Sequence, residues 1–145
     1  MRIIVQRVTS ASVEVNGDIC GKISSGYLLL IGIGHEDTEE DCRRLADKII
    51  NLRIFSDEND KINLSLRDVG GELLIVSQFT LYADCRKGNR PNFIQAAKPD
   101  EAERLYNYFA DYCRSKIKRT ETGIFGADMK VNLVNDGPFT VMLES

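Results

Sequence analysis

Histidine is nearly missing from this sequence: among 145 residues there is one, His35. Cys20, Cys42, Cys85 and Cys113 are scattered and contain no C-x-x-C pair, so no zinc site with familiar spacing can be assembled. A Ser-His-Asp hydrolase would have to work through His35, which follows an apolar run and opens the acidic stretch "HEDTEED". His35 reads as a solvated loop residue, and hydrolysis here would have to proceed without a histidine base. The sequence also lacks a P-loop, an H-E-x-x-H pair, a G-x-S-x-G elbow and a dinucleotide glycine fingerprint. Its longest apolar run, "YLLLI", is far too short to cross a membrane. The start, "MRIIVQRVTS", has neither the apolar core nor the cleavage site of a signal peptide, so a cytoplasmic protein with reduced thiols is expected. No metal and no cofactor are called for.

The composition that is present is that of an ordinary globular protein, 43% hydrophobic and 28% charged. A chain of this length can bury about 70% of its unfolded surface. With no repeat, linker or low-complexity tract, residues 1–145 read as one domain. The net charge of −3 argues against a general nucleic-acid binder, while leaving room for local basic patches.

Apolar periodicity gives the elements. Arg2 to Thr9 reads as a strand, and "ASVEVNGDICGKI" as a hairpin turning at Asn16-Gly17. "GYLLLIGIG" suits a strand buried on both faces. Thr38 with Asp41 signals a helix start, and Cys42, Leu45, Ala46, Ile49 and Leu52 continue it to about Leu52. "RIFS" and "INLSL" are short strands, and "ELLIVSQFTLYA" a second apolar one. Asp84 to Lys98 reads as a loop, and Pro99 opens a second amphipathic helix. "GIFGADMKVNLVN" and "FTVMLES" are strands either side of Asn135-Asp136-Gly137-Pro138, where Asn-Asp-Gly alone would turn a hairpin. The expectation is an α/β, layered fold: a β-rich, barrel-like sheet carrying two helices.

Candidate chemistry gathers at the end of the second apolar strand. Ser77, Gln78 and Thr80 are polar in a run that otherwise reads as core; a buried, unpartnered hydroxyl or amide costs about 1–3 kcal/mol. They are either the wet end of a strand entering a loop or the polar part of a site. Beyond them lie Arg86, Lys87 and Arg90, and later Arg114, Lys116, Lys118 and Arg119. Next to polar strand-end residues such clusters could hold phosphates, but charge runs alone favour a solvated surface.

The whole sequence resembles the D-aminoacyl-tRNA deacylases, through "GHEDTEED", "LADKIINLRIF", "KGNRP", "ETGIFGADMKVNLVNDGPFT" and two specific motifs. These are S-Q-x-T at Ser77-Gln78-Phe79-Thr80 and N-x-G-P-x-T from Asn135 to Thr140; the departure seen is Asn92, where a small residue is the pattern. The resemblance implies hydrolysis of the ester of D-aminoacyl-tRNA, assisted by the ribose 2′-hydroxyl. The Thr80 backbone N–H would act as oxyanion donor, with Gln78 and Ser77 on the ribose and adenine and Phe79 against the substrate end. It further implies a homodimer in which a cis Gly137-Pro138 peptide reaches the partner's site, braced by Arg7, with Phe125 and Met129 lining the pocket. Arg86, Lys87 and Arg90, with the Arg114–Arg119 cluster, would hold tRNA. A site that excludes L side chains has nothing to exclude in glycine, so glycyl-tRNA mischarged on alanine tRNA is an expected second substrate. The competing expectation is a non-enzymatic nucleic-acid-binding module, which would need a basic tail beyond Ser145.

Overall fold

The computed structural model describes residues 1–137 and 139–145, and Pro138 lies outside the described residues. The chain runs β1 (Arg2–Val15), β2 (Asp18–Ile23), β3 (Gly26–Gly32), α1 (Glu39–Ile50), β4 (Phe55–Ser56), β5 (Ile62–Leu64) and β6 (Glu72–Ser77). A 3-10 helix (Phe79–Tyr82), α2 (Pro99–Arg114), β7 (Thr120–Thr122) and β8 (Met129–Glu144) follow. The fold is mixed α/β, with both helices where the apolar periodicity puts them.

β1 organises the sheet. One edge pairs with β3 over Arg2–Val8 and then with β2 over Ala11–Val15, while the other edge pairs with β8 along its length. The β1–β2 turn has Asn16 at φ 53° and Gly17 at φ 91°, the left-handed pair that a two-residue hairpin needs. β6 joins β3 in parallel, and β7 joins β6 in parallel. β2 curls back to contact β6 and β7, so the sheet nearly closes into a barrel.

This curvature separates two cores by strand alternation. Tyr27, Leu29 and Ile31 of β3 and Leu73 and Ile75 of β6 point outward to the helices. There they meet Leu45 and Ile49 of α1 and Leu105 and Phe109 of α2. Leu28, Leu74 and Val76 point inward, to Val8, Val13 and Ile23. The continuous apolar runs are thus strands covered on both sides. α1 begins at a capping box: the Asp41 N–H donates to Thr38 Oγ1 at 3.3 Å, and the Thr38 N–H donates to Asp41 Oδ2 at 3.0 Å.

Two differences from the sequence expectation shape the site. The strand expected through Ala83 ends at Ser77, because the backbone folds into the 3-10 helix once Gln78 N–H has bonded the Ile31 carbonyl at 2.7 Å. The Asn-Asp-Gly stretch does not reverse the chain. Both halves of β8 run antiparallel to β1, with Asn135 opposite Val8 and Thr140 opposite Gln6. Asp136 to Phe139 are therefore interposed where β1 interposes Arg7 alone, a large bulge within one strand.

Candidate functional site

Because β3, β6 and β7 are parallel, their carboxyl ends emerge together, and ligands favour that end of a parallel sheet. A cleft of about 620 Å³ opens there. Ser77, Gln78 and Phe79 form one side, Phe125 and Met129 another, and Phe93 with Ala96 a third, over the first turn of α2. A Cβ on Gly123 would fall 2.5 Å from Met129 Sδ, so glycine there lets Met129 lie close against the β7 end. Phe79 is 57% exposed, and its ring meets Phe93 edge-on at 5.0 Å, giving the mouth an aromatic platform. Phe125 leans against Tyr106 at 5.8 Å.

The polar chemistry of the cleft is sparse. Ser77 and Gln78 supply a hydroxyl and an amide, and Asp128 is the one charged residue among those lining it. The Gln78 side-chain amide donates to Thr80 Oγ1. Thr80 itself is exposed and opens the 3-10 helix with Phe79; N–H groups in a helix's first turn have no intrahelical acceptor. No histidine, lysine or carboxylate bonds the Thr80 hydroxyl among the described residues. His35 is exposed and engages the Ile94 carbonyl through Nε2, away from this lining. Burial pushes the Cys42 and Cys113 thiols up to about 12, so neither is a thiolate nucleophile at neutral pH. Among the described residues no group of three or more His, Cys, Asp or Glu side chains is placed to hold a metal ion. Nor, among the described residues, is any helix long and apolar enough to cross a membrane.

Thr80 is not among the residues lining the cleft, and the remaining expected site residues also lie elsewhere. Arg7 is buried at the bulge of β8. Its Nε donates to the Asp136 carbonyl at 3.2 Å and stands 2.9 Å from Asp136 Oδ2, and its Nη1 donates to the Ile54 carbonyl. Its guanidinium sits 4.4 Å over the Phe139 ring. Asn135 Nδ2 closes the bulge by donating to the carbonyls of Arg7 (2.9 Å) and Phe139 (3.0 Å). Gly137 is exposed at the tip and is not part of the cleft lining of its own chain. The expected geometry at Pro138 falls outside the described residues. Arg86, Lys87 and Arg90 lie on an exposed loop pinned by the Asp84–Asn92 bridge. Arg86 is already paired with Asp84, at 2.9 and 2.7 Å, which holds that carboxyl well below its usual range. Lys87 and Arg90 carry the available charge of that loop.

Sequence reasoning missed Phe93, Ala96 and Asp128. Phe93 falls in the segment expected as a loop, where an aromatic residue among polar ones is a usable signal.

A D-aminoacyl-tRNA deacylase of Thermosipho africanus is 58% identical over 145 residues, covering 100% of this chain and 97% of that protein. One from Bacillus cytotoxicus is 59% identical, covering 100% and 99%. A solved structure named c-Myc DNA Unwinding Element Binding Protein superposes with a TM-score of 0.94 at 43% identity, covering 100% of this chain and 99% of its own. A probable eukaryotic D-amino acid tRNA deacylase shares the fold, with a TM-score of 0.84 at 21% identity over 98% and 97% of the two chains. The family model for D-Tyr-tRNA(Tyr) deacylase matches residues 4–144, and the chain belongs to that family.

Proposed function

We propose that this protein hydrolyses the ester of D-aminoacyl-tRNA, releasing the D-amino acid and free tRNA. The observation that carries the reading is a cleft with a hydroxyl, an amide and an aromatic platform but no nucleophile–base pair, in a chain of this family. Water adds to the ester carbonyl, and the tetrahedral intermediate collapses by breaking the carbon–oxygen bond to the ribose. The departing ribose oxygen takes up a proton. The substrate's own 2′-hydroxyl activates the water, while the enzyme positions the ester and stabilises the oxyanion through the Thr80 N–H. Ser77 and Gln78 hold the terminal ribose and adenine, Phe79 packs on the substrate end, and Phe125 and Met129 line the amino-acid pocket. No cofactor takes part.

Chirality is read by a second copy of the chain. The Gly137-Pro138 tip, braced by Arg7, enters the neighbouring cleft, where backbone carbonyls accept from the α-ammonium and occupy the volume an L side chain requires. The homodimer is thus the working unit, with Arg86, Lys87 and Arg90 contributing tRNA contacts in the cytoplasm. The deciding experiment incubates D-tyrosyl-tRNA, L-tyrosyl-tRNA and glycyl-tRNA(Ala) in parallel with chelator. The D and glycyl esters should be cleared and the L ester should survive. Equal loss of all three would indicate a general esterase, and survival of glycyl-tRNA would refute the steric account of selection. Loss of none would favour a nucleic-acid-binding module, the reading to which the name of the DNA unwinding element binding protein lends weight.

Thr80→Ala separates two mechanisms. The side chain here steadies Gln78 and has no base, so turnover should fall no more than about tenfold, the loss of one hydrogen bond of roughly 1 kcal/mol. Single-turnover rates that drop by thousands would instead make the hydroxyl the nucleophile.

A further inference from the structure

At the end of β6 opposite Ser77 the surface holds a second cavity, of about 600 Å³, that the proposed chemistry leaves unused. Arg67, Lys116, Lys118 and Arg119 line it, with Glu72 as the one carboxylate. That carboxylate is already engaged: Glu72 Oε2 accepts from the Ser24 N–H at 2.7 Å and lies 3.6 Å from the Arg119 guanidinium. Among the described residues Arg67 and Lys118 form no ion pair, and both are exposed. Lys116 rests 5.1 Å over the Tyr112 ring with its charge uncompensated. The floor includes the buried side chain of Ile117.

A chain whose net charge is −3 thus gathers three uncompensated cations around one concavity. Such an arrangement repels itself when empty and concentrates anions when exposed to them. The cations come from two separate segments, the turn before β6 and the turn before β7, and are borne on exposed side-chain tips. That suits a ligand carrying several spaced phosphates better than a compact anion enclosed on all sides. β6 spans six residues, so the cavity is about 17 Å from Ser77. Between the two, along the sheet edge, Arg114 reaches Thr122 of β7 at 3.3 Å.

We infer that this cavity is a phosphate-binding subsite for the acceptor arm of tRNA, engaged while the terminal ester occupies the cleft. The inference rests on the deacylase reading for its ligand, and on the charge geometry for its place. It adds Arg67 to Lys116 and Lys118 of the cluster expected to hold tRNA, and gives all three one cavity for the substrate's backbone at the far end of β6.

The test is an Arg67→Ala/Lys118→Ala double variant, with Lys87→Ala/Arg90→Ala for comparison. Affinity for uncharged tRNA, followed by fluorescence anisotropy over a salt series, should fall about tenfold near 0.1 M salt, and the slope of log K against log salt should become shallower by about 1.5. kcat/KM for D-tyrosyl-tRNA should fall by the same factor, while a short D-tyrosyl ester of adenosine is turned over as before. Unchanged tRNA affinity and slope would overturn the inference. So would tripolyphosphate binding that the double variant loses while tRNA binding is intact, since the cavity would then belong to a small phosphate compound. If the parent protein cleaves neither ester, the deacylase reading fails, and the uncharged-tRNA series still decides the cavity.

Discussion

A chain carrying Gly26→Ala should fail to accumulate as folded protein. A Cβ at Gly26 would lie 1.9 Å from the Glu72 carbonyl oxygen, 2.6 Å from its nitrogen and 2.7 Å from its carbonyl carbon. All three are backbone atoms, so no side chain can swing aside. The neighbouring bond from Glu72 N–H to the Ser25 carbonyl, 3.0 Å long, starts the parallel β3–β6 ladder. Parting the strands there would open both cores, because the same two strands supply Leu29 and Ile75 to one and Leu28 and Leu74 to the other. The expected loss exceeds about 4 kcal/mol, in the range reserved for severe backbone or packing conflicts. Gly17→Ala is the control. Gly17 has open space around it and only its φ of 91° to lose, so about 1 kcal/mol is expected. Soluble yield and thermal denaturation of both variants check the contrast, and a Gly26→Ala protein melting normally would contradict the packing described.

Arg7→Ala should melt roughly 10 °C below the parent and lose most of its activity. The substitution orphans the Ile54 carbonyl, releases Asp136 and removes the cation over Phe139. Hydrogen bonds to a charged donor contribute about 1.5–3 kcal/mol, and the cation–π contact about 1 kcal/mol more. Asp136 is 47% exposed, so water recovers much of its loss, and a total near 3 kcal/mol is reasonable. For a chain of this size that corresponds to about 3 °C per kcal/mol. If the bulge carries the chiral gate, the fall in turnover of D-tyrosyl-tRNA should reach a hundredfold below the melting temperature. Arg7→Lys, which keeps the charge but cannot reach both carbonyls, should lie between. An Arg7→Ala enzyme with normal selectivity and rate would detach the tip from Arg7.

Helices and strands with strong periodicity were legible in the sequence because their patterns are local. Thr38 and Asp41 make the box their spacing implies, and Pro99 opens α2. β7 was missed because Thr120–Thr122 has no apolar alternation and holds its place by pairing with Leu73 to Ile75. The Asn135–Pro138 stretch carries turn chemistry either way. What makes it a bulge is the fourteen-residue edge of β1, which pairs on both sides of it and which no local window displays. The same holds at the cleft. Ser77, Gln78, Phe79, Phe125 and Met129 were named from the sequence and do converge, whereas Phe93 and Asp128 joined them only once β6, the loop and β8 were brought together.

The bulge in β8 also bears on how such a protein can change. Each half of the strand is registered to β1 by its own ladder, and Asn135 fastens the gap between them. Insertions or deletions between Asp136 and Phe139 are therefore absorbed locally, and neither ladder slips a residue to turn its side chains onto the wrong face. The tip is a graft point: its length and shape can be altered by descent or by design while the scaffold that presents it stays as it is.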